Sequence, residues 1–156
     1  MASSSERAGR VTRRIEAAWA DLRDSCAGLT DGELAEPGAA GAWSVKDVLA
    51  HVTTWEEEAL RYLPLIAEGG RPPRYASSGG IDAFNGRMRE RKGSLSPAEV
   101  LAQADEVHGR LLDLVRRAPD DQLASGSRFR RRLRLDTYAH YREHAEAIRG
   151  WRKQRR

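Results

Sequence analysis

The sequence predicts an all-α fold, a four-helix bundle with a long connection between its second and third helices. Three observations carry the prediction. Apolar residues return at threes and fours along four separate stretches, the spacing that lines one face of an α-helix. Two of those stretches open on a serine followed three residues later by an acid, a sequence signature of a helix start. The composition is rich in alanine, leucine, arginine and glutamate, with only 6% aromatic residues, which favours helices over sheet.

The first helix is carried by Val11, Ile15, Ala18, Trp19, Leu22, Cys26 and Leu29. Cys26 falls on this apolar stripe and reads as core packing, because a reactive thiol needs an exposed, electropositive setting. "TDGELAEPGAAGAW" then breaks the pattern with glycines and a proline, leaving a connection with one short turn around Glu33 and Leu34.

"SVKD" opens the second helix as a capping box, Ser44 and Asp47 each satisfying the other's exposed amide. Val45, Val48, Leu49, Val52, Trp55, Ala59, Leu60 and Leu63 form its apolar face. At about 100° per residue His51 lies about 40° from Trp55 and about 60° from Val48, so it borders the buried stripe. "EGGRPPRYASSGG" is the long connection, and "IDAFNGRMRERKG" adds a helical segment before the third helix. That helix starts at "SPAE", with Ser96 as N-cap, Pro97 in the first position and Glu99 closing the box. Val100, Ala104, Val107, Leu111 and Leu114 follow, with His108 as a packed or half-exposed side chain at their edge.

"RFRRRLR", Arg128 to Arg134, and "WRKQRR" could meet phosphates or an anionic substrate, but read first as a solvated loop and a fraying tail. Between them the fourth helix sets Tyr141, His144, Ile148 and Trp151 on one face. A chain of 156 residues is enough for one domain, 1–156, with 1–8 and 152–156 as flexible tails. The single cysteine excludes an internal disulfide and fits a reducing compartment. No apolar run approaches membrane-spanning length and no secretory h-region is present, so the expected setting is the cytoplasm, with no membrane partner. The net charge of +4 is modest. A nucleic-acid partner is not expected, since zinc-finger spacing, an RNP-type aromatic motif and a helix-turn-helix are all missing.

The chemistry concentrates in "DTYAHYREHAEAIRGW". His140 and His144 stand four apart, on one side of a helix and about 6 Å apart along its axis. Two such imidazoles can converge on one ion, and His51 could supply the third ligand that a catalytic zinc takes. Asp47 precedes His51 by four and Asp136 precedes His140 by four, so either carboxylate could hold the far ring nitrogen. The competing reading is a set of helix-edge histidines bonded to neighbours, with the acids serving as helix-start charges. Trp55 and Tyr141 stand as walls for an apolar substrate, or as ordinary core. Glu143 and the run Glu56, Glu57, Glu58 offer general bases, most of them expected to face water, and nothing selects among them.

"GAWSVKDVLAHVTTWEEE", the pair Phe84–Asn85 and "YAHYREHAEAIRGW", in that order, resemble the DinB-like superfamily, and within it the DfsB/ClbS-type four-helix bundle proteins. The resemblance runs from about Val11 to Trp151. It implies a bundle in which His51, His140 and His144 bind a divalent metal (zinc, nickel or iron) in a cleft. It also implies chemistry on small electrophiles, because the superfamily includes transferases and isomerases that use a low-molecular-weight thiol, and this branch includes a self-resistance protein that opens a reactive cyclopropane. Three functions therefore stand open: a metal-dependent hydrolase or thiol-transferring enzyme, a small-molecule sequestering protein, and an interaction module. Each is compatible with pairing into a homodimer. Substrate, reaction and metal identity are not written in the sequence.

Overall fold

A computed structural model describes residues 4–155. Among them the chain forms α1 (Ser4–Ser25), α2 (Asp31–Leu34), α3 (Val45–Ala67), α4 (Ile81–Lys92), α5 (Pro97–Arg117), α6 (Arg128–Asp136) and α7 (Tyr138–Gln154), with 3-10 turns at Tyr75–Ser78 and Asp120–Leu123. The four long helices α1, α3, α5 and α7 make the bundle: α1 packs on α7 and α5, and α3 packs on α5 and α7. No strand occurs among the described residues, only an isolated bridge between Ala40 and Trp43.

The apolar stripes meet in one core. Ile15 and Leu22 of α1, Leu49 and Leu63 of α3, Leu111 of α5 and Ile148 of α7 are all buried. Burying each such side chain contributes about 1.5–3 kcal/mol relative to leaving it in water. Both expected capping boxes form: the Asp47 amide donates to Ser44 Oγ and the Ser44 amide to Asp47 Oδ2, each at 3.0 Å, and Ser96 and Glu99 do the same at 3.1 Å. A third box, Thr30 with Glu33, starts the short α2. Cys26 is buried in the core, as its place on the stripe predicted, and burial pushes its thiol pKa up.

Two expectations need correction. The arginine run is not a loop but helix α6, capped by Ser127, whose Oγ accepts from the Arg130 amide at 2.9 Å. Phe129 and Leu133, one turn apart, are buried and draw this helix onto the bundle. Most of its cations are tied down: Arg128 donates to Gly70 O, Arg130 to Leu123 O and Arg132 to Asp136. The second correction concerns the tails. Residues 1–3 and 156 lie outside the described residues, but 4–8 belong to α1 and 152–154 to α7. Arg152 donates to the carbonyls of Ser25 and Ala27, which joins the end of α7 to the end of α1.

Helix α4 differs from the others in burying none of its residues. Side-chain ties hold it instead. Trp55 Nε1 donates to Asn85 Oδ1 at 3.0 Å, Lys92 pairs with Glu57, and Lys46 donates to the carbonyls of Gly93 and Leu95 just beyond its end.

Candidate functional site

Helices α3 and α7 bring three histidines to one point. His51 comes from the second turn of α3, behind the Ser44 cap, and His140 and His144 from successive turns of α7. The Nε2 of His140 lies 3.0 Å from that of His51 and 3.0 Å from that of His144. Ligand atoms of all three lie within 4.8 Å of one another. The rings stand nearly perpendicular in pairs, and Trp43 packs edge-on against His51 at 5.2 Å.

Burial lowers the pKa of all three imidazoles, and neighbouring rings add to it at His51 and His140. The pKa of His51 is lowered to about 4 by desolvation, with His144 adding to it, and that of His140 to about 2 by desolvation with His144 and His51 adding. Burial lowers His144 as well. A neutral imidazole carries one lone-pair nitrogen and one N–H. Three Nε2 atoms facing one point cannot all be satisfied by hydrogen bonds to one another, whereas a cation takes three lone pairs together. Around a tetrahedral zinc with bonds of about 2.0–2.1 Å, ligand nitrogens stand about 3.4 Å apart; two of the three pairs here stand at 3.0 Å and the third within 4.8 Å. The donor set fits a divalent ion.

The outer contacts differ from expectation. Asp136 does not reach His140; its Oδ2 accepts from Arg132 Nε at 2.6 Å, since it ends α6 while His140 belongs to α7 beyond the break at Thr137. His140 Nδ1 is consequently buried without a partner. Asp47 does not hold His51 either: its Oδ2 is taken by the Ser44 amide and by Arg89. A helix cap at Asp47 and an arginine pair at Asp136 have won over imidazole orientation.

Tyr141 does not wall a cleft. It is fully buried, its hydroxyl 3.3 Å from His108 Nδ1, in a core network with Glu56. Glu56 is fully buried as well, contrary to the expectation that these glutamates face water, and its Oε2 lies 3.0 Å from His108 Nδ1. Glu57 and Glu143 do lie exposed. Trp55 is half-buried and forms a three-ring cluster with Tyr75 and Phe84, centroids 5.1–5.4 Å apart.

That cluster borders a cleft of about 830 Å³ between α3, α4, α5 and the Tyr75 turn. The histidines do not line it. A pocket of only about 10 Å³ beside His51 shares Thr54 and Met88 with the cleft wall. The sequence reading missed Tyr75, although an aromatic pair in "YASSGGIDAF" within an otherwise polar connection was a visible signal.

The model of the DinB superfamily matches residues 14–147. This chain belongs to that family. No curated protein matches it. Among solved structures, the DinB fold seen here is similar to the colibactin self-resistance protein ClbS in complex with a double-stranded DNA, at TM-score 0.77 and 16% identity over 94% of this chain and 95% of that one. It is similar to DfsB, a sibling lethal factor precursor, at TM-score 0.79 and 14% identity over 96% of both chains. An uncharacterised protein from Escherichia coli UTI89 matches at TM-score 0.75 and 15% identity, over 95% of this chain and 94% of that one. These likenesses establish a shared DinB fold. No helix of the described residues is long and apolar enough to cross a membrane.

Proposed function

We propose that this DinB-family chain is a metal-dependent enzyme acting on a small electrophilic molecule, by hydrolytic opening or thiol transfer, in a detoxification or self-resistance role. The observation that carries the reading is the convergence of the His51, His140 and His144 Nε2 atoms. These residues would hold the ion, and a bound zinc, nickel or iron ion would supply a Lewis acid able to activate water or an external thiol. The protein's own groups do the rest. Burial lowers the pKa of all three imidazoles and so favours the neutral, donating form. Trp43 fixes the plane of His51. Cys26 is buried and its thiol pKa raised, so in a thiol transfer the nucleophile comes from outside the chain. The description of ClbS as a self-resistance protein supports the role, and a lone reduced cysteine suits the cytoplasm.

Elemental analysis of untagged protein tests the reading. About one metal per chain is expected in the wild type, lost in His51→Ala and in His144→Ala. No metal after reconstitution with zinc, nickel and iron would sink it.

One observation favours a second reading, a small-molecule binding protein without turnover: the 830 Å³ cleft lies outside the histidine cluster. Ligand held tightly and recovered unchanged would support that alternative. Because ClbS was solved with duplex DNA, a duplex titration belongs beside these assays, and sedimentation would show whether the bundle pairs.

A further inference from the structure

We infer that the cleft between α3, α4 and α5 binds a planar aromatic molecule that carries a negative charge, of the kind represented by an aryl phosphate. Two independent features of the cleft meet in this ligand.

The first is an unbalanced ring of charge. Arg61, Arg74, Arg91 and Arg110 line the cleft, and among the described residues none of them has an acid partner. Three carboxylates line the same space: Glu57 pairs with Lys92, and Glu58 Oε1 accepts from the Tyr75 hydroxyl at 3.1 Å. Glu58, which a phenol hydroxyl does not neutralise, and Glu106 leave two carboxylates against four guanidinium groups. A concave surface lined mainly by one sign of charge concentrates the opposite sign. Arginine is also the residue that matches phosphate and carboxylate oxygens with paired N–H donors.

The second feature is an aromatic wall of two rings tilted 60° to each other. Tyr75 and Phe84 line the cleft, 5.3 Å apart and both packed on Trp55 behind them. Tyr75 is held from its far end, since its hydroxyl donates to Glu58 and accepts from Arg132 Nη2 at 2.9 Å. Arg132 is itself anchored on Asp136. A ring already fixed in place gives up little freedom when a second ring stacks on it, so the wall is organised before any ligand arrives. The volume, about 830 Å³, is in the range of small-molecule sites. The inference does not depend on a metal, because none of the three histidines lines this space.

Calorimetric titration of the full chain with 1-naphthyl phosphate, 1-naphthol and inorganic phosphate tests it. The aryl phosphate is expected to bind at least about tenfold more tightly than either fragment, and to weaken as salt rises. The double variant Arg91→Ala/Arg110→Ala, both positions exposed and free of structural bonds, is expected to lose about tenfold in affinity. Phe84→Ala should weaken the aryl phosphate and leave inorganic phosphate unchanged. His51→Ala should bind as the wild type does, which separates this cleft from the metal reading. The inference is overturned if the aryl phosphate does not bind, if 1-naphthol binds equally well, or if the arginine variant is unaffected. It is also overturned if a short DNA duplex, and not the aryl phosphate, binds in an arginine-dependent way.

Discussion

Trp19 of α1 lies flat on His108 of α5, ring centroids 4.1 Å apart and planes within 9° of parallel. The indole thus covers the one histidine outside the cluster, and Tyr141 meets the same indole edge-on at 5.4 Å. Three helices are joined through these rings. Trp19→Ala should lower stability by about 2–3 kcal/mol, below the usual cost of deleting a tryptophan because this one is partly exposed. Trp19→Phe should recover about half. Urea denaturation measures both, and a loss within experimental error for Trp19→Ala would show that the stack contributes nothing.

Glu56 lies beneath that stack with no exposure at all. Its Oε2 faces His108, its Oε1 has no partner, and burial raises its pKa against the lowering pull of His108. Glu56→Gln keeps an acceptor for the imidazole and should cost about 1 kcal/mol or less. Glu56→Ala leaves His108 and Tyr141 without that partner and opens a void, and should cost about 3 kcal/mol. Equal losses in the two variants would mean that the negative charge, rather than the hydrogen bond, is what the core uses.

Asp136 gives the fold a pH dependence of definite sign. Burial raises its pKa from 3.8 to about 6, opposed by Arg132. The folded state therefore holds the proton more tightly than the unfolded chain does. This contribution is fully present below about pH 4 and is lost as pH rises through about 6. Relative to Asp136→Asn, which cannot titrate, the wild type should lose up to about 3 kcal/mol between pH 4 and pH 7. Denaturation of both proteins across that range measures the difference, and parallel curves would refute the assignment.

The two serine caps should not be equivalent. Ser44 is buried beneath the start of α3, whereas Ser96 is exposed. Removing either hydroxyl strands an amide, but at Ser96 water can replace it. Ser44→Ala should cost about 2 kcal/mol and Ser96→Ala about 0.5–1 kcal/mol, read from thermal or urea midpoints. The reverse order would show that packing rather than capping decides the cost.

Asn85 is a tie between α4 and the rest of the molecule, through the Trp55 indole. Asn85→Ala should speed amide exchange across residues 81–92 several-fold while changing global stability by less than about 1 kcal/mol. Exchange followed by mass spectrometry reports both regions at once. Unchanged protection in α4 would shift the role to Lys92 and Lys46.

The bundle was legible because its four long helices advertise themselves locally, through stripes and caps that act within a few residues. The histidine cluster was legible for a related reason. The i, i+4 spacing places His140 and His144 together on any helix, and His51 sits at a stripe edge, where a side chain faces a neighbouring helix. Other residues escaped because tertiary packing decided them. The charged run hid the Phe129–Leu133 pair that makes α6 a helix. Glu56 sits among acids that do face water, and only the approach of His108 from α5 makes its burial tolerable. The fates of Asp47 and Asp136 turned on competition between partners, a backbone amide and Arg132 respectively, that spacing alone does not rank.

Helix α4 buries no residue, yet it and the Tyr75 turn supply one whole side of the cleft. The residues that fold this protein and those that meet a visitor are thus largely different residues. Stretch 75–92 can accumulate substitutions at little risk to the bundle, so ligand preference can diverge among descendants of this chain while their architecture stays put. A library randomised at Tyr75, Ser78, Phe84, Met88 and Arg91 alone should yield mostly folded proteins that differ in what they hold.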